Sequence, residues 1–319
     1  MSRLTVIIPV YNEEKMIPIA AEEIRKVLQA EGIGYEMIFV NDGSTDGSWP
    51  AICLEAEKSS KIKGICFSRN FGKEAAMMAG LKKASGDCAV IIDCDLQHPP
   101  EKIPEMYRLW EEGYEVVEGV KQDRGRETLL HRICANGFYK VISSLTKLNM
   151  ADASDFKLMD RKVVDILAAM PERNTFFRAL SSWVGFRSAS VKFTVRERKE
   201  GVSKWSPFSL LTYAISNIVS FSAAPMQAVT VMGTLFLVIS VILAIQSLAM
   251  TLMGKALEGF TTVILIELLV GSIVMISLGI IGYYISQMFE ELKGRPRYII
   301  SAETGKSEKD DNTGQADPD

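Results

Sequence analysis

Apolar residues fall into two regimes along this chain. Up to Lys204 they come in strand-length runs alternating with stretches at helical spacing; from there to Phe289 they continue almost without a charge. Leu4 to Val10 is a β-branched run that stops at Tyr11-Asn12-Glu13-Glu14, and Ile17, Ala20, Ala21, Ile24, Val27 and Leu28 then share one helical face. Gly32 and Gly34 end that helix. A strand Glu36 to Val40 runs into Asn41 to Ser48, a loop dense in turn formers and caps. A helix through Cys53 to Lys58, a strand Ile62 to Phe67, a helix Lys73 to Ala84 and a strand Cys88 to Ile92 follow. Such alternation predicts a parallel sheet with helices on both faces. After Pro99-Pro100 the pattern gives a helix Glu101 to Glu111, a strand Glu115 to Val120, a polar loop Lys121 to Glu127 and an amphipathic helix from about Leu129 to Leu145. Val191, Phe193 and Val195 alternate as in a strand.

From Trp205 to Gly254 no residue is charged, and from Gly259 to Phe289 only Glu267 is. Val229 to Met253 and Phe260 to Phe289 are each long enough for the roughly 20 helical residues a bilayer core needs. The residues between them, Gly254 to Gly259, read as a tight connection. Basic residues gather on the outer flanks, at Arg196, Arg198, Lys199 and Lys204 and at Lys293, Arg295 and Arg297, against a lone Lys255 in the connection. The positive-inside rule then sets both flanks in the cytoplasm. Pro207 to Ser222, broken by Ser, Thr and Asn, reads as interfacial helix. Glu267 is costly against lipid and is expected at a helix contact or near the headgroups. The expected plan is a cytosolic domain over 1–204, interfacial amphipathic helices over 205–228, a transmembrane hairpin over 229–289 (about 229–253 and 260–288), and a cytosolic tail over 290–319, disordered from about 302.

Composition adds little to this division. A net charge of -3 gives no sign of nucleic-acid binding. Cys53, Cys66, Cys88, Cys94 and Cys134 lack zinc or disulfide spacing and fit reduced thiols in a cytosolic domain. Met1-Ser2-Arg3 leads straight into a strand without a signal-peptide pattern, so membrane insertion is expected from the later segments.

Candidate chemistry lies where strands end. In open α/β sheets ligands bind outside the carboxyl ends of the strands, and Tyr11 to Glu14, Asn41 to Ser48, Ser68 to Lys73 and Asp93 to His98 each follow one. Asp93-Cys94-Asp95, after the apolar run Cys88 to Ile92, offers two carboxylates suited to Mg²⁺ or Mn²⁺ against a diphosphate; an Asp-rich turn is the plainer account. Asp42 is able to accept from the imide N–H of a base, or to cap the next helix. Ser68 to Lys73 opens a helix with two cations, as anion binding requires, or as a solvated cap would. Asp155 reads as a general base, a positioning carboxylate or a cap. Arg198 to Lys204 is a basic Gly-containing loop, fitted to headgroup contact or to clamping a phosphate.

Taken in order, Val6 to Glu14, Asn41 to Asp46, Arg69 to Lys73, Asp93 to Pro100, Ser154 to Phe156 and Arg198 to Lys204 resemble the successive motifs of family 2 inverting glycosyltransferases. They are most similar to the polyprenyl-phosphate branch, which includes dolichol-phosphate mannose synthases and bactoprenol glucosyltransferases. The resemblance spans Leu4 to Arg297 and implies a Rossmann-like, GT-A type nucleotide-diphospho-sugar transferase domain. It implies that Pro9, Tyr11, Glu13 and Asp42 line the nucleotide pocket with Arg69 and Lys73 nearby. Asp93, Asp95 and Gln97 would hold the metal and diphosphate, with Asp95 and Gln97 the direct ligands. Asp155 would be the base-like carboxylate, and Arg124, Arg198, Ser203 and Lys204 would meet phosphates.

The implied reaction is transfer of a hexose, glucose from UDP-glucose first among the candidates, to undecaprenyl phosphate at the cytoplasmic face of the inner (plasma) membrane. GDP-mannose, UDP-N-acetylhexosamine and UDP-aminoarabinose derivatives are the alternative donors. A processive polysaccharide synthase would need more membrane helices and a Gln-x-x-Arg-Trp-type motif, and a non-catalytic scaffold would not keep Asp93, Asp95, Gln97 and Asp155 together. Gly271, Ser272 and Gly279 permit helix packing between subunits of a homo-oligomer.

Overall fold

The structure, a computed structural model, describes residues 2–123, 154–172, 176–195, 224–253 and 260–304. It divides into two compact units, Met1–Lys204 with Pro296–Asp319, and Trp205–Arg295. The amphipathic helix expected over 129–145, the interfacial segment over 205–223, and Arg124, Arg198, Ser203 and Lys204 lie outside the described residues.

The first unit is built on an eight-stranded sheet. Its elements are β1 (Arg3–Val10), α1 (Met16–Ala30), β2 (Gly34–Asn41), α2 (Ser48–Lys58), β3 (Ile62–Phe67), α3 (Lys73–Lys83), β4 (Cys88–Ile91), a 3₁₀ turn (Pro100–Lys102), α4 (Ile103–Glu111), β5 (Val116–Asp123), β6 (Lys157–Asp160), α5 (Arg161–Ala169), α6 (Phe177–Trp183), β7 (Ser188–Thr194) and, after the second unit, β8 (Ile300–Glu303). The strand order is β7-β5-β6-β4-β1-β2-β3-β8. β4, β1, β2 and β3 are mutually parallel, as the strand-helix alternation predicts. β2 is buried on both faces after its first residue, which is why Met37 to Val40 reads as an unbroken apolar run. Helix α1 buries the face that the sequence predicts, including Ile17, Ala20, Ala21, Ile24 and Leu28.

Two strands correct the expectation of a wholly parallel sheet. β6 runs antiparallel between β4 and β5, and β8 runs antiparallel along the outer edge of β3. Both are four residues long, too short to show a period. β8 also places residues 300–303 in the sheet, where the sequence reading begins the tail at 290 and its disorder at about 302. At the end of β8, Thr304 N–H donates to Gly64 O at 3.0 Å, and Gly64 N–H donates to the Thr304 side-chain Oγ1 at 2.8 Å.

The second unit contains α7 (Ala224–Leu252) and α8 (Phe260–Leu292), which touch each other. Pro225 falls in the first turn of α7, where a missing N–H costs nothing, so the helix begins before the expected boundary at 229. Leu235, Leu237, Ile245, Val274 and Ile285 are about half exposed or more; water-soluble proteins do not leave a surface of this size uncovered. Among the described residues, Leu269–Leu292 is long and apolar enough to cross a membrane, and Val229–Leu243 is a shorter apolar helix. Glu267 is exposed.

Candidate active site

Because β1 to β4 are parallel, their C-terminal ends share one edge of the sheet, and the four predicted loops assemble there. The β1 and β2 loops are tied together. Asn12 N–H donates to Ser44 Oγ at 2.9 Å, Thr45 N–H to Asn12 Oδ1 at 2.8 Å, and Glu13 N–H to Ser48 Oγ at 2.9 Å. Pro9 is the last residue but one of β1, and Tyr11, just past the strand, is 41% exposed. The β2 and β3 loops meet backbone to backbone. Gly43 has φ of +62°, and a Cβ there would lie 2.3 Å from the carbonyl carbon of Arg69. Asp42, beside it, is buried, and its carboxylate accepts from Phe71 N–H at 2.7 Å and from Gly72 N–H at 3.0 Å. Burial pushes its carboxyl up despite those two amides. Asp42 therefore shapes the Arg69 to Gly72 turn, and the Arg69 guanidinium lies over the Phe71 ring at 4.1 Å.

The antiparallel strand β6 completes the edge. Its register sets Lys157 opposite Ile91, which brings Asp155 beside Asp93 beyond the strand ends. Lys73, at the first turn of α3, bridges the two: its Nζ is 2.6 Å from Asp93 Oδ1 and 2.9 Å from Asp155 Oδ2. Arg178 holds Asp155 from the other side with a bidentate pair, Nε to Oδ1 at 2.8 Å and Nη2 to Oδ2 at 3.0 Å. Carboxylates and cations thus alternate as Asp93, Lys73, Asp155, Arg178. Burial opposes the charge on Asp155, yet Lys73 and Arg178 hold its carboxyl well below the usual range. Burial likewise opposes charge on Asp93 and Lys73; Lys73 and then His98 keep Asp93 low, and Asp155 with Asp93 keeps the ammonium raised.

Arg178 is the functional candidate that sequence reasoning missed. Behind it, Ser181 Oγ donates to Arg178 O at 3.1 Å, and the buried Lys157 donates to Ser181 Oγ at 2.7 Å while pairing with Glu118 at 3.0 Å. His98 is buried as well, stacked on Phe156 at 5.2 Å; its Nδ1 has no hydrogen-bond partner and lies 3.7 Å from Asp93 Oδ2. Burial pushes the imidazole pKa down, against the pull of Asp93 beside it.

The turn that carries Asp95 and Gln97 is strained. Leu96 between them has φ of 54°, a left-handed conformation unusual for a branched residue, and its side chain is 1% exposed. Burial of that side chain holds the turn, and Asp95 Oδ1 accepts from Gln97 N–H at 3.1 Å. No group of three His, Cys, Asp or Glu side chains fit to hold a metal occurs among the described residues. Asp95 and Gln97 offer hard oxygen donors that fill only part of a coordination sphere. That donor set fits Mg²⁺ or Mn²⁺, which substrate phosphate and water complete, and does not fit a metal caged by protein alone. Cys94, between the aspartates, is buried, and burial pushes its thiol up, away from the reactive thiolate form.

Residues 5–167 match the model of Glycosyl transferase family 2. The chain belongs to that family and is a glycosyltransferase. Within it, the similarity runs to the polyprenyl-phosphate branch. The bactoprenol glucosyl transferase of Shigella phage SfII is 34% identical over 93% of this chain and 97% of its own length. The prophage bactoprenol glucosyl transferase homolog of Escherichia coli is 35% identical over 93% and 98%. The glycosyltransferase sll0501 of Synechocystis is 37% identical over 93% and 94%. Because these matches cover nearly the whole chain, they take in the apolar unit as well as the sheet. Among solved structures, glucosyl-3-phosphoglycerate synthase from Mycobacterium tuberculosis is 20% identical over 68% of this chain and 76% of that one, with a TM-score of 0.46, too distant to speak to substrate.

Proposed function

We propose that the protein transfers a hexose, glucose from UDP-glucose first among the donors, to undecaprenyl or a similar polyprenyl phosphate at the cytoplasmic face of the plasma membrane. The observation that carries this reading is the double hold on Asp155. A carboxylate gripped by both Lys73 and Arg178 is a poor proton acceptor, so the site suits a nucleophile that needs no base. A lipid phosphate is such a nucleophile, being anionic near neutral pH. One of its oxygens bonds to the anomeric carbon as the bond from that carbon to the donor diphosphate breaks. In-line attack turns an α-linked donor into a β-linked lipid phosphosugar.

In this reading Asp155 positions cations. Tyr11 and the Asp42-shaped turn receive the base, with Pro9, Glu13 and Arg69 around it. Lys73, with Arg124, Arg198, Ser203 and Lys204, supplies the phosphate contacts. Mg²⁺ or Mn²⁺ at Asp95 and Gln97, with Asp93 adjacent, would stabilise the charge developing on the departing nucleoside diphosphate. The relatives named for bactoprenol and glucose support the acceptor and the sugar. GDP-mannose, UDP-N-acetylhexosamine and UDP-aminoarabinose derivatives are the alternative donors.

The path of the chain supports a hairpin arrangement in the membrane. It leaves the first unit at Lys204 and rejoins the same sheet at β8, which fits an even number of crossings between them. Two crossings, by α7 and α8, fit that path with the basic flanks on the cytoplasmic side. The test uses full-length protein, a panel of UDP- and GDP-sugars and undecaprenyl phosphate, with mass analysis of the lipid. One donor is expected to yield a lipid phosphosugar; no product from any donor refutes the function. In the same assay Asp95→Ala should abolish transfer, and unimpaired transfer would sink the metal assignment.

A further inference from the structure

The segment that returns from the apolar unit packs against the turn that follows β3. Six residues beyond α8, Tyr298 stacks on Phe67 with ring centroids 4.9 Å apart and planes 11° from parallel. Phe67 in turn meets the edge of Phe71 at 5.8 Å, and Phe71 lies under the Arg69 guanidinium. The three rings pack with Ile38, Val40, Ala76 and Ala79 in an apolar cluster separate from the main core. The backbone repeats the connection, since Ser68 N–H donates to Ile299 O at 3.0 Å at the head of the same turn. Arg297 donates to Met170 O, and Lys83 pairs with Glu303 at 2.8 Å, which fixes the segment on both sides.

We infer that Tyr298 is a positioning residue for donor binding: by stacking on Phe67 it fixes the Phe71 and Arg69 turn that faces the nucleotide. This rests on the reading of that turn as part of the donor pocket. The turn itself has one carboxylate, Asp42, holding the amides of Phe71 and Gly72, and Gly72 has φ of +98°. The ring stack supplies the second fixed point. It comes from a segment that enters the fold only after the chain has passed through both apolar helices.

The test is calorimetric binding of UDP with Mn²⁺ to full-length protein, alongside steady-state kinetics with donor and undecaprenyl phosphate varied in turn. Tyr298→Leu keeps an apolar side chain in the cluster and removes the stack; it should weaken UDP binding and raise the donor KM about fivefold. The lipid KM and kcat should stay within about twofold. Tyr298→Phe, which keeps the ring, should restore wild-type values. An unchanged donor KM in Tyr298→Leu, or an equal rise in both KM values, overturns the inference. Failure of the wild type to bind UDP, GDP or any nucleotide sugar overturns instead the donor-pocket reading beneath it. If Tyr298→Leu does not fold, Phe67→Leu probes the same stack from the strand side, and an unchanged donor KM there overturns the inference equally.

Discussion

Arg178→Gln separates two roles for Asp155 that a loss-of-function variant at Asp155 alone would confuse. If Asp155 took a proton during transfer, removing Arg178 would raise its basicity and hold or increase the rate at neutral pH. If Asp155 instead organises the cations, Arg178→Gln should slow transfer about as much as Asp155→Asn. The magnitude comes from the geometry. Two charge-assisted bonds of 2.8 and 3.0 Å to a carboxylate only 9% exposed are lost. The arginine is itself 30% exposed and Lys73 remains on the carboxylate, so the cost is about 2 kcal/mol, well short of that for an isolated buried ion. If all of it falls on the transition state, kcat/KM drops about 30-fold.

A double-mutant cycle in the lipid-product assay makes this quantitative. Asp155→Asn with Arg178→Gln should be no slower than the worse single variant, because the pair acts as one unit. Full additivity, or a faster Arg178→Gln, would refute the positioning role. Stability carries the same signature. A carboxyl held below its unfolded value stabilises the fold above about pH 4 and loses that contribution as pH falls through the folded pKa. The melting-temperature gap between wild type and Arg178→Gln should therefore be present at pH 7 and close below about pH 4.

Two further outcomes test the frame around the site. Glu36 is fully buried and accepts from Thr5, Lys63 and Ser85; burial opposes its charge, but these bonds bring its carboxyl from 4.5 down to about 2. Glu36→Gln should cost about 3 kcal/mol above pH 4.5 and progressively less as pH falls toward 2, read by thermal unfolding in detergent; a pH-independent difference contradicts the account. Leu96→Gly relieves about 1 kcal/mol of left-handed strain but removes a buried leucine worth about 3 kcal/mol, for a net loss of about 2 kcal/mol. It should also raise the Mn²⁺ concentration needed for UDP binding, and an unchanged metal requirement would show that the turn does not depend on that side chain.

What the sequence disclosed about the site, and what it withheld, follow from the range of the interactions. Asp42, the Arg69 to Lys73 turn and Asp93 to Gln97 were legible because each follows a strand with its own apolar run, and parallel strands bring their C-terminal ends to one edge. Arg178 carried no such sign. It sits on a seven-residue helix, 23 positions from its partner, and its only local hint is a charge within the apolar stretch Phe176 to Leu180. β6 was hidden by Lys157, a buried cation that breaks the apolar pattern and is tolerated because Glu118 and Ser181 satisfy it. β8 was hidden by distance, since it pairs with a strand more than 200 residues earlier through backbone groups that any sequence possesses.

These concealed elements share a place in the mechanism. β6 carries Asp155 to Asp93 because it runs antiparallel beside β4, and the network behind β6 braces Arg178 against that same carboxylate. β8 meets the donor-side turn from the opposite flank of the sheet. In the proposed reading the four parallel strands supply the nucleotide half of the edge, and the antiparallel additions supply a carboxylate fixed between two cations and a segment, returning from the apolar helices, that packs on the donor-side turn. A nucleotide-binding fold without the β6 additions would have Lys73 beside Asp93 and nothing to turn it toward an incoming phosphate. The placement of Asp155 and Arg178 is therefore where the lipid-phosphate chemistry proposed for this protein should be most sensitive to substitution, ahead of the aspartates that first attract attention in the sequence.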